Sequence, residues 1–241
     1  LAVARAALRE PDLPVARLDG ADREIRLLVD HREDLVAERT RIISRLRWHL
    51  HELDPAWRPP TKLDRTSAFD KIGAHVATFS GLVADLALRL VEHLRRLTVE
   101  IDELAAEITS RTTMLAPSLL AIPGCAALTA AKIIGETAGI DRFRSKDSFA
   151  RHNGTAPLPV WSSNHARHRL SRTGNRQLNA AIHRIALTQA RCHEDARALL
   201  ARRKAGGDGG MEALRVLKRR LSDVVFRAMV ADQSSLMDLA A

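Results

Sequence analysis

The sequence predicts a mainly helical, all-α protein in which a long coiled-coil arm precedes a compact helical domain. Three observations predict it. Leu and Ala are abundant, Tyr is absent and aromatic residues total only 3%, a mix poor in the residues that build strands. Apolar residues recur at three- and four-residue spacing over long stretches, the period of one helix face. Clusters of Pro and Gly cut those stretches into segments. A chain of 241 residues has room for one large domain or two small ones.

Residues 1–10 read as the end of a helix, closed by Pro11 and Pro14. Asp19 or Asp22 is placed to cap a second helix running to about Leu53, with Ile25, Leu28, Leu35, Ile42, Leu46 and Leu53 at helical spacing. Asp54-Pro55 and Arg58-Pro59-Pro60 then break the chain. The cleanest periodicity follows. Ile72, Val76, Phe79, Val83, Leu86, Leu90, Leu94, Leu97, Ile101, Leu104 and Ile108 form a coiled-coil seam with one stutter. As one helix it would extend roughly 55 Å, packed within its own chain or paired with another.

Pro117 ends the arm and opens the compact domain. A short helical pair is expected near 118–139, then a loop-rich basic stretch over 143–174 and a helix from about Asn175 to Arg203. The linker Gly206-Gly207-Asp208-Gly209-Gly210 leads to a last amphipathic helix through Leu214, Leu217, Leu221, Val224 and Ala228. The tail after Asp232 is expected to fray.

The net charge of +9 is unevenly placed. Residues 1–116 hold 18 Lys and Arg against 19 Asp and Glu, whereas residues 117–241 hold 20 against 10. Between Arg142 and Arg191 there are 10 basic residues and a single acid, Asp147. Such a run is ordinarily a solvated face; the alternative is a surface for phosphates, each contact releasing counterions. Cys125 and Cys192 have no metal-site spacing, so a reducing cytoplasm is the expected setting. No apolar run is long enough to span a bilayer, and no signal peptide is visible. The chain opens on Leu1 rather than Met, which reads as a piece of a longer protein.

Two motifs could carry chemistry. In the first, Leu119-Leu120-Ala121-Ile122-Pro123-Gly124-Cys125-Ala126 runs into Thr129-Ala130-Ala131-Lys132. It resembles a helix-hairpin-helix: Gly124 and Thr129 would bring backbone N–H groups to a phosphate, and Lys132 would add a charge. Ala126 stands where that hairpin usually has its second glycine. The second motif is a Gly/Pro loop, Asn153-Gly154-Thr155-Ala156-Pro157, leading through Trp161 to Ser162 and Ser163. Arg167, Arg169, Arg172, Arg176 and Arg184 follow, and Asn175 is placed to cap the next helix. Serine is a weak nucleophile that needs activation and compensation for phosphoryl charge, which arginines can supply. His165 and His168 are better suited to holding phosphate than to proton transfer, and Trp161 to packing rather than to stacking on a base. With no tyrosine in the sequence, a tyrosine nucleophile is excluded.

The succession of the Ile122-Pro123-Gly124-Cys125 hairpin, the Gly154-Thr155-Ala156-Pro157 loop with its serines, the Arg167-to-Arg176 run and Asn179-Ala180-Ala181-Ile182-His183 resembles the C-terminal domain of IS110/IS116/IS902-family transposases. The resemblance covers about residues 115–232 and is looser before them. It implies a domain plan: the tail of a RuvC-like nuclease domain and a helix over 1–60, the coiled-coil arm over 61–116, the transposase domain over 117–232 and a tail over 233–241. It implies DNA, and a structured guide RNA, as partners, with homo-oligomers assembled through the arm. The family serine lies five positions after the loop proline, which gives Ser162 as nucleophile; Ser163 stands where the family often has glycine and is the second candidate. The four acidic Mg²⁺ ligands of the RuvC-like half have no counterpart here, so no metal ligand is assigned within the chain. The rival reading is a non-catalytic helix-hairpin-helix binding remnant; a purely structural coiled coil is a weaker one.

Overall fold

A computed structural model describes residues 2–10, 13, 15–161, 166–169 and 173–240, with the side chains of 2, 3, 6, 159–161, 166–169, 239 and 240 outside the description. The protein is all-α in class. Its helices are α1 (Ala2–Arg9), α2 (Gly20–Leu53), α3 (Thr66–Val76), α4 (Leu82–Leu115), α5 (Pro117–Leu120), α6 (Ala127–Thr137), α7 (Lys146–His152), α8 (Arg176–Cys192), α9 (Glu194–Ala205) and α10 (Gly210–Ala240). Two short strands, β1 (Leu158–Trp161) and β2 (Ala166–Arg169), stand in the stretch expected to be loop. The chain divides into two compact units, one of Leu1–Leu27 with Ile108–Ala241 and one of Leu28–Glu107.

In the second unit α2, α3 and α4 close over one apolar core. His31 meets Glu100 at 3.7 Å and Glu38 meets His93 at 3.6 Å, so the α2 and α4 segments there run antiparallel. The seam lies within the chain, but differs from the expected one in two ways. It is broken between α3 and α4, where Gly81 takes φ +104°, a conformation glycine adopts readily. Along α4 the buried residues are Ala84, Ala87, Val91, Leu94, Leu97, Thr98 and Ile101, while Leu86 is 39% exposed. Small side chains let helices approach closely, so Ala84 and Ala87 take the places expected for Val83 and Leu86.

The first unit is built around α6. Every residue from Ala130 to Thr137 is buried, and at Gly135 a Cβ would stand 2.8 Å from the Cβ of Arg26. Packed against α6 is α8, with Leu178, Ala181, Ile182, Ile185, Ala186 and Gln189 buried at helical spacing. The helix expected from Asn175 to Arg203 ends at Cys192: His193 is extended, and α9 starts afresh at Glu194. The last helix, α10, packs on α5, α7, α8 and α9. It continues to Ala240, so the tail after Asp232 is helical rather than frayed. Asp232 is buried and accepts from the N–H groups of Ser118 and Leu119, tying α10 to the start of the domain.

Candidate nucleic-acid interface

The Ile122–Cys125 turn is tight. Ile122 N–H donates to the Leu119 carbonyl, Cys125 N–H donates to the Ile122 carbonyl, and Gly124 has φ +85°. A Cβ at Gly124 would lie 3.0 Å from Thr188 Cβ, so glycine here permits close packing on α8. Gln189 Nε2 seals the turn by donating to the Pro123 carbonyl. Thr129 is half-buried, its N–H bonded to the Ala126 carbonyl. Lys132 requires a correction. It is buried and ion-paired with Glu136 at 3.7 Å, because α6 is enclosed on every side from Ala130 to Thr137. A buried charge needs a partner inside, and Lys132 therefore presents no cation at the surface. Burial also pushes the Cys125 thiol up to about 12, leaving it an unreactive thiol.

The serine segment is rooted in a polar network. Leg one leaves α7 through Asn153, which is fully buried: its Nδ2 donates to Ser222 Oγ, and its Oδ1 accepts from the N–H and hydroxyl of Thr155. Leg two returns through Gly174, at φ +102°, where a Cβ would stand 2.6 Å from the His152 carbonyl. Asn175 N–H donates to that carbonyl at 2.7 Å. Asn175 caps α8 as expected, its Oδ1 accepting from Leu178 N–H, and its Nδ2 donates to Glu136 at 2.6 Å. Asn179 Nδ2 donates to the Asn153 carbonyl, and Lys218 Nζ donates to Asn179 Oδ1 at 2.6 Å. His152 ring Nε2 accepts from Arg142 at 3.2 Å, since a guanidinium can only donate. Burial first, then the Arg142 charge, depress the His152 pKa.

Between the legs β1 and β2 pair antiparallel, Leu158 with Arg169, Pro159 with His168, Val160 with Arg167 and Trp161 with Ala166. Ser162, Ser163, His165 and Arg172 lie outside the described residues, as do the side chains of Trp161, Arg167, His168 and Arg169. Arg176 is exposed in the first turn of α8. Arg184 is also exposed, but eight residues on, about 80° around the helix from Arg176.

Residues 116–201 match the sequence profile described as Transposase IS116/IS110/IS902 family. This segment is a transposase domain of that family. A transposase role follows for the domain, and DNA is the partner class it implies. A search of curated proteins finds no match to the chain.

Sequence reading missed a groove of about 750 Å³ beside the transposase hairpin, lined by Asp147, Ser148, Arg151, His152, Ala156, Pro157 and Arg219. Arg219 comes from α10, beyond the matched segment, and only the fold brings it there. Its guanidinium is held by Asp147 and by Asp223, whereas Arg151 has no ion-pair partner among the described residues. Among the described residues no three His, Cys, Asp or Glu side chains converge as a metal site would require. Among the described residues no helix is long and apolar enough to cross a membrane.

Proposed function

We propose that this chain supplies the serine half of a composite active site for DNA transposition. Ser162 Oγ attacks a phosphodiester phosphorus, forming a Ser–O–P bond and releasing one deoxyribose oxygen. The serine proton leaves to solvent or a base, and the released oxygen takes one up. Arg167, Arg169, Arg172 and Arg176 hold the non-bridging oxygens and offset their charge. The observation that carries this reading is the double root of the segment. Gly154 and Gly174 approach each other across the His152 carbonyl, and both legs return to the Asn153–Asn179 bond. Fixed roots favour a precisely held nucleophile. Arg167 and Arg169 occupy alternate positions of β2, the period at which a strand repeats its face.

A guide RNA and assembly into homo-oligomers belong to the same reading, as does Mg²⁺ bound by a RuvC-like domain supplied from outside these residues. Because the α4 seam is covered by its own chain, oligomer contacts would use other positions, such as the exposed Leu82, Leu88 and Val99. The test joins the chain to an intact RuvC-like domain and measures excision of the element. Ser162→Ala is expected to abolish excision. Undiminished excision removes the nucleophile, and loss with Ser163→Ala alone moves it by one residue.

A further inference from the structure

The buried cation Lys218 has no carboxylate partner among the described residues. Its side chain is enclosed between α8 and α10, with the residue only 8% exposed. An ammonium carries three N–H donors, and Asn179 Oδ1 is its one acceptor among the described residues. The other buried lysine of this unit, Lys132, is matched by Glu136. Leaving a buried ammonium unmatched is costly unless something else compensates it.

The groups around Lys218 add no negative charge among the described residues. Asn179 cannot turn to accept a second cation, because its Nδ2 is fixed on the Asn153 carbonyl. His183, one turn further along α8, is close enough for the Lys218 charge, after burial, to depress its pKa. Arg176, Asn179 and His183 recur at three and four residues, so they form one stripe along α8, and Asn179 of that stripe is bonded to Lys218. That stripe starts where the dipole of a 17-residue helix already favours negative charge.

We infer that Lys218, with His183 and Arg176, binds a backbone phosphate of the nucleic acid along the α8–α10 seam. The inference rests on the proposed function. It adds a contact beyond the arginines after the serines, and Asn179 links it directly to the root of the serine segment. A phosphate seated there would fix the strand's register relative to Ser162.

The test uses the full 241-residue chain and two duplex DNAs of unrelated sequence, titrated by filter binding over a salt series. Lys218→Met is expected to weaken both duplexes by the same factor and to reduce the salt slope by about 1, as loss of one phosphate contact does. His183→Glu places a carboxylate beside the intact lysine and is expected to reduce the slope at least as much. It covers the case in which Lys218→Met fails to fold, which thermal melting reports. An unchanged slope in folded variants, with wild-type binding intact, overturns this site alone. A wild-type chain that binds neither duplex overturns the site and the nucleic-acid reading together.

Discussion

Gly174 shows how a single residue fixes the chain's entry into α8. Its φ of +102° is disfavoured for any L-residue, and a Cβ would meet the His152 carbonyl at 2.6 Å. Gly174→Ala is therefore expected to destabilise the protein by about 2 kcal/mol or more, read from the urea midpoint. At His152 the sign of the pH effect follows from its depressed pKa. Between the folded value and the unfolded value near 6.5 the unfolded chain binds more protons. The stabilisation is complete above 6.5 and is lost as pH falls through that window. Comparing urea midpoints at pH 7.5 and 5, His152→Gln should shrink the difference relative to wild type; an equal difference would contradict a neutral, Arg142-bonded ring. Asn175 was legible as a cap from its place before an apolar-periodic run. Its second bond, to Glu136, was not, because nothing local couples residues 39 positions apart.

Among the elements, periodicity read well where large residues alone carry the core. Leu94 and Ile101 were expected on the α4 seam and are buried there. The reading slipped where alanine carries it, since apolar bulk points to Leu86 while close packing selects Ala87. This predicts opposite responses at adjacent positions. Leu86→Ala should change stability by less than about 0.5 kcal/mol, and Ala87→Leu should cost about 1–3 kcal/mol through overpacking, both measured by chemical denaturation. The β1–β2 pair was hidden for a different reason. Pro159 and the arginines of β2 carry little strand propensity, so no local pattern marked the pairing. Lys132 was misread because a lysine looks the same in sequence whether its partner is a phosphate or a glutamate one helical turn away.

For the whole molecule, the imbalance of charge was the most legible property, and it falls on the half that contains the transposase domain. The two compact units were less so, because α2 and α4 each contribute to both. The groove and the Lys218 site draw on α10, which lies beyond the matched segment, so local motifs could not indicate them. In the proposed function a serine following β1 attacks DNA. The most direct measurement is to trap the reaction on a duplex carrying the element end, with the chain joined to a RuvC-like domain, then digest and locate the attached nucleotide by mass spectrometry. The account predicts a phosphate ester on Ser162. Excision proceeding with no adduct on either Ser162 or Ser163 would contradict it.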